Sequence, residues 1–146
     1  MTSPRSIRFE ARTLDRLAAY ADRHLGLTSS SAAALLVEEG LRMDAHPGVV
    51  FRDGPAGRRA VLTAGPDVWE VVRAIRSARA EQPRLSPAKI VASLSETTGL
   101  SVTAVHTAID YYAAFPDEID GRIDAESAAE TELMAALEAS ERLLGA

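Results

Sequence analysis

Polar and hydrophobic residues alternate over Ser6-Ile7-Arg8-Phe9-Glu10, near the start of the sequence, and this two-residue period predicts a short β-strand. Such a strand places Ile7 and Phe9 on one face. No second strand follows nearby, and an isolated strand leaves its backbone N–H and C=O groups unpaired. We therefore expect a second copy of the chain to pair with it, so that a homodimer shares an antiparallel ribbon whose outer face carries Ser6, Arg8 and Glu10.

Helical periodicity begins directly after this strand. Apolar residues three or four apart predict a helix over about 13–24. A second helix is predicted to follow the N-cap residues Thr28, Ser29 and Ser30 and to continue to about Met43. The run His46-Pro47-Gly48 ends it, and there we place the end of a first domain, residues 1–46.

The next segment predicts a β-hairpin and several helices. Two apolar runs, 49–52 and 59–62, flank a turn rich in glycine and proline. Helices are predicted over about 66–79, after Ser86-Pro87 and after Ser101, and residues 90–109 fit a helix-turn-helix pattern with Gly99 at the turn. We expect a mainly α protein in which a winged-helix-like second domain, 47–115, is followed by an acidic helical arm, 116–146.

The net charge of −5 by itself argues against a nucleic-acid partner, but the charge is distributed unevenly along the chain. Residues 1–90 carry a net charge of +4, whereas residues 91–146 carry −9. Binding of a charged ligand depends on the local electrostatic potential and not on the net charge of the whole chain. Residues 1–90 are therefore suited to bind phosphate, and residues 91–146 to bind a different partner.

The order strand, helix, helix over residues 5–43 resembles the ribbon-helix-helix transcriptional regulators. This resemblance implies base contacts from the ribbon and a phosphate clamp at the start of the second helix, here Ser6, Arg8 and Glu10 for bases and Thr28, Ser29 and Ser30 for phosphate. The forked guanidinium of Arg8 suits guanine O6 and N7. The alternative is an edge strand of an ordinary α/β domain, in which Arg8 is a solvated charge.

The predicted helix-turn-helix is a weaker DNA reader. Its second helix exposes polar residues without a single Arg or Lys, and cations supply most nucleic-acid affinity. A packing or protein-binding module is therefore the better interpretation. If this domain does touch DNA, Arg58 and Arg59 of the hairpin are the expected phosphate contacts.

Residues 46–123 resemble the domain-of-unknown-function family 433 and its VapB-type antitoxin relatives, chiefly over the stretches 46–60, 65–72 and 110–119. This resemblance implies an antitoxin that neutralises a PIN-like ribonuclease and represses its own promoter on double-stranded DNA. The acidic tail would then be the toxin-binding arm, with Arg122 reaching into the toxin's carboxylate-rich metal site and with apolar anchors at Ile119, Ile123, Leu133 and Leu137. The alternative is a helix that packs back on its own dimer.

Enzyme and membrane functions find no support in the sequence. The chain has no cysteine, and its three histidines lack metal-ligand spacing. No signal peptide and no apolar run of about 20 residues is found, so we expect a cytoplasmic protein without metal or cofactor. The rival to the repressor is a dimeric interaction protein that binds a protein partner through its second domain and arm without binding DNA.

Overall fold

The computed structural model describes residues 5–63 and 65–145, and within them the chain is mostly helical. It contains six helices and one two-stranded antiparallel sheet in these described ranges. The chain divides into two compact units, Met1–Ala45 (unit 1) and His46–Ala146 (unit 2). The division lies one residue from the predicted domain end at 46.

Unit 1 is a pair of helices, α1 (Ala11–Arg23) and α2 (Ser29–Ala45). Between them Gly26 adopts a left-handed φ of +85°, a conformation that glycine tolerates without steric cost. The two helices meet at a small core of apolar side chains, of which the buried ones are Leu17, Ala21 and Ala32.

The predicted N-terminal strand is wrong. Residues 5–10 form neither strand nor helix, and Ile7 and Phe9 are 69% and 37% exposed. The two-stranded sheet of the described residues comes after α1 and α2, so the expected ribbon-helix-helix fold is contradicted, as is the alternative of an α/β edge strand. Five alternating residues carry a weak signal, since a strand exists only where a neighbouring strand completes its hydrogen bonds.

Unit 2 begins with the predicted hairpin, which is confirmed. Strand β1 (Val49–Gly54) pairs with β2 (Gly57–Leu62) in antiparallel register, from Val49 opposite Leu62 to Gly54 opposite Gly57. Gly57 has φ of +99°, which explains why glycine closes this tight turn.

Four helices follow: α3 (Val68–Glu81), α4 (Pro87–Thr98), α5 (Val102–Ala114) and α6 (Pro116–Leu144). Their starts follow from capping chemistry. Ser86 and Ser101 each accept a hydrogen bond from a backbone N–H of the first turn, and Asp67 with Glu70 forms a reciprocal capping box at α3. Gly99, in left-handed conformation, ends α4 before the turn to α5.

The core of unit 2 centres on Tyr111 of α5, which is completely buried. The centroid of its ring lies 4.9 Å from that of Phe115, 5.3 Å from that of His46 and 6.4 Å from that of Phe51. Its hydroxyl donates a hydrogen bond of 3.0 Å to Glu118 Oε1. One side chain therefore joins the start of unit 2, the hairpin and the α5–α6 junction.

We predict that Tyr111→Ala lowers the free energy of unfolding of unit 2 by about 3–5 kcal/mol, because it leaves a cavity at this junction. Tyr111→Phe keeps the ring and should cost only about 1 kcal/mol, the usual net worth of one hydrogen bond. Urea unfolding followed by fluorescence measures both, since the one tryptophan, Trp69, lies in unit 2. Equal losses for the two variants would contradict the central role of the ring.

Candidate functional site

The residues predicted to read bases do not share a sheet face. Ser6, Arg8 and Glu10 are all exposed, but they lie in an irregular segment in which no strand fixes alternate side chains on one side. These three side chains are therefore accessible, but the structure does not align them to contact bases in a DNA groove.

The start of α2 uses part of its predicted phosphate clamp for its own cap. Thr28 Oγ1 accepts from the Ser31 N–H at 3.1 Å, and Ser31 Oγ accepts from the Thr28 N–H at 2.8 Å. This reciprocal pair satisfies helix-end donors, as a capping box does. Ser29 and Ser30 remain exposed at the first turn. Ser31, which sequence reasoning passed over, is the partner that fixes Thr28.

The hairpin arginines, predicted as phosphate contacts, face carboxylates of their own unit. Arg59 Nε lies 2.7 Å from Asp67 Oδ2, and its Nη1 donates to the Asp53 carbonyl at 2.9 Å. Arg58 Nη1 lies 3.3 Å from Asp53 Oδ1. Both side chains are about three-quarters buried. Their guanidinium groups thus serve mainly to hold the hairpin.

The arginines of α1 are placed differently, and sequence reasoning missed them. Arg12, Arg16 and Arg23 are spaced by four and seven residues, which puts them on one face of the helix. All three are exposed, and no described residue forms a hydrogen bond or ion pair with them. The spacing was readable in the sequence, but that they lack partners is visible only in the fold.

The first half of α6 belongs to the core of unit 2. Ile119 and Ile123 are buried, at 3% and 8% exposure, so these two predicted toxin anchors are not available to a partner. Arg122 does not point away from the protein either. Its Nη1 donates to the Ala56 carbonyl in the hairpin turn at 2.8 Å, and its Nε lies 3.0 Å from Glu126 Oε1.

Two further ion pairs join α6 to α3. Arg73 Nη1 lies 2.7 Å from Glu130 Oε1, and Arg76 pairs with Asp120. The hydrogen bond that Arg76 donates to Asp120 raises the pKa of Arg76 above its ordinary value, while burial opposes the rise. Glu130 is the last α6 residue of the described chain that is tied to another element by one of these contacts.

From residue 127 onward, α6 is no longer covered by the core of unit 2, although Glu130 still pairs with Arg73 of α3. Residues 127–144, here called distal α6, are exposed throughout. Leu133 and Leu137, the other two predicted anchors, are 60% and 50% exposed, and Met134 and Leu144 are similarly bare. Steps of three and four residues link the buried Ile119 and Ile123 to this stripe, so the face that enters the core continues past it.

The polar side chains that line one cavity of unit 2 are mostly engaged in contacts within the unit. This cavity, of about 300 Å³, lies between the hairpin, α3 and α6, lined in part by Trp69 and by Arg58, Arg59 and Arg122. The guanidinium groups of these three arginines already bind carboxylates or backbone carbonyls of unit 2. Across residues 5–63 and 65–145, no three His, Asp or Glu side chains are placed to hold a metal ion. None of the described helices is long and apolar enough to cross a bilayer.

The chain matches no protein-family model, no curated protein and no solved structure. Its resemblance to the family 433 antitoxin relatives therefore stays a prediction. Function has to be inferred from the surfaces of the chain itself, and distal α6 is the most distinctive of them.

We predict that Arg122→Ala loosens the hairpin turn, because the Ala56 carbonyl loses its donor. Amide hydrogen exchange at residues 55–57 should speed up several-fold, with a decrease of about 1 kcal/mol in the stability of unit 2. Arg142→Ala is the matched control, since the hydrogen bond that Arg142 donates stays within its own helix. Unchanged exchange in Arg122→Ala would show that this hydrogen bond does not hold the turn.

Proposed function

We propose that this chain is a regulator that binds a basic protein partner through distal α6. The observation that carries the proposal is the apolar stripe Leu133, Met134, Leu137 and Leu144, which lies on one side of an exposed helix and has no other described element against it.

The stripe is suited to a groove. Side chains at i, i+4 and i+11 line one face of a helix, which is the pattern of an amphipathic helix that binds in an apolar groove. Burial of each leucine would contribute about 1.5–3 kcal/mol. Helices in proteins gain most of their stability from packing of their apolar face, so a bound partner would also stabilise distal α6.

The negative charge of distal α6 indicates which kind of protein would bind it. Distal α6 carries four carboxylates and one arginine, and the whole of α6 carries nine carboxylates and two arginines. Glu138 and Glu141 lie along one edge of the leucine positions, whereas Glu130 on the same edge is already paired with Arg73. A complementary groove therefore has an apolar floor and an arginine- or lysine-rich rim, which would speed association and select the partner.

An antitoxin role fits this chemistry. A ribonuclease needs a basic surface to attract RNA phosphates, and an acidic helix would compete for that surface. The resemblance noted in the sequence makes a PIN-like ribonuclease the first partner to test. In this proposal the anchors are Leu133 and Leu137 with Met134 and Leu144, and the buried isoleucines keep the helix in place.

We expect Leu133→Glu with Leu137→Glu to weaken binding to a ribonuclease encoded next to this gene on the order of 100-fold or more, because two buried leucines become charges. Titration calorimetry measures the affinity, and cleavage of a labelled RNA measures neutralisation. Ala128→Glu with Ala135→Glu adds the same charge on the opposite side of the helix and should bind like the wild type.

Loss of binding in both double variants would point to charge alone and contradict the apolar stripe. Full binding by the leucine variant would contradict the proposed site itself. Circular dichroism should show the same helix content in all three proteins.

DNA binding is a second candidate, and the arginine stripe of α1 favours it. Arg12, Arg16 and Arg23 are exposed and lack described partners, whereas Arg58 and Arg59 are engaged. A row of guanidinium groups along a helix suits a phosphate backbone. Carboxylates at positions 15 and 22 lie beside the stripe and reduce its net charge, which is why this function ranks second. A repressor of its own promoter would use this face.

We predict that Arg12→Ala, Arg16→Ala and Arg23→Ala together weaken binding to the gene's upstream DNA. The salt slope should fall by about three, or about one for each phosphate that is no longer neutralised. Fluorescence anisotropy between about 50 and 200 mM salt measures both the affinity and the slope.

The control for this triple variant removes three exposed cations of unit 2 instead, Arg52, Arg84 and Lys89. Equal effects of the two triple variants, or no binding by the wild type at low salt, would exclude the α1 face as a DNA-binding surface.

A further inference from the structure

We infer that unit 1 is completed by a second copy of this chain, which packs against the outer face of α2. This face is defined here as Ser30, Ala34, Val37, Gly40 and Leu41, all of them exposed. The inference is independent of the proposed partner of distal α6 and involves a different unit.

The first reason is the distribution of apolar residues around α2. Ala32 and Leu36 pack inward on α1, yet Val37 and Leu41 on the other side are 50% and 62% exposed. An ion pair of 2.9 Å between positions 38 and 42 marks a narrow polar strip. Apart from the buried Glu39, both sides of α2 are mostly apolar, and a helix of this kind is normally buried on both sides. Within unit 1, the described residues cover only one side of α2.

The second reason is the size of the core. Three buried apolar side chains, with four partly buried ones packed against them, hold α1 and α2 together in the described part of unit 1. A folded unit of about 40 residues without disulfide or metal usually depends on association to bury enough surface. The chain has no cysteine, so cross-links cannot supply the missing stability.

The third reason is Gly40. It lies within α2 with no unusual φ, and a Cβ added there would meet nothing within 4 Å. Glycine inside a helix costs about 1 kcal/mol relative to alanine, and no neighbour in this chain accounts for it. A second helix crossing closely at this point would account for it, because small residues let two helix backbones approach.

The charge of unit 1 favours a second copy of this chain as the partner that covers the outer face of α2. Residues 5–45 contain six arginines and six carboxylates, so two unit 1 surfaces carry no net charge that would repel. A twofold axis through the outer face would place Val37 and Leu41 against their own counterparts, which makes one patch serve both chains. A strongly basic or acidic partner would find no complementary charge there.

The test is the mass of the full chain in solution, by light scattering over a concentration series. We expect the wild type to have twice the mass of one chain and Val37→Glu with Leu41→Glu to be a monomer. Ala18→Glu with Ala19→Glu adds the same charge to an exposed part of α1 and should stay dimeric. A monomeric wild type, or a dimer that survives the α2 substitutions, would overturn the inference.

A second measurement decides the matter if the glutamate variant fails to fold. Because the natural chain lacks cysteine, Val37→Cys or Leu41→Cys introduces a single thiol. Two such thiols bridge only when their Cα atoms come within about 7 Å. Oxidation should give a cross-linked dimer for at least one of these variants and none for Ala18→Cys. Absence of a cross-link at both α2 positions would overturn the inference by placing any dimer interface elsewhere.

Discussion

Tyr111 is the side chain on which unit 2 depends. Its ring contacts His46, Phe51 and Phe115, and its hydroxyl binds Glu118, so the first residue of the unit, the hairpin and the last two helices meet at one buried point. The direction in which α6 leaves the core follows from this packing. Since α6 is held at its first turns, its remaining length extends beyond the elements that cover it.

The cations of the two units have different roles. In unit 2, arginines of the hairpin and α3 neutralise nearby carboxylates, and α6 is attached to α3 through two of them, Arg73 and Arg76. After Glu130, the carboxylates of α6 form no ion pair with another described element, so negative charge accumulates there. In unit 1, the arginines of α1 face solvent. Charge is thus balanced where the elements of unit 2 pack together and left unbalanced on the helix surfaces that are free to bind.

Both binding proposals and the inferred dimer depend on helix faces that no described element of the same unit covers. On the two apolar faces, Leu133 and Leu137 of α6 and Val37 and Leu41 of α2 are each at least half exposed. Contiguous apolar surface of this kind is typical of protein interaction sites. The α2 face is electrically neutral and the α6 face is acidic, and for this reason we propose a like chain as the partner of the first and a basic protein as the partner of the second.

Local chemistry in the sequence determined most of the elements. The caps at Ser86 and Ser101, the glycine-closed hairpin and the long acidic helix all lie where their residues predict, because each depends on neighbours a few positions away. Tertiary structure alone decided which side chains are available. It buried Ile119 and Ile123, engaged Arg58, Arg59 and Arg122, and left Ile7 and Phe9 without a strand partner, because burial and pairing depend on residues far away in the chain.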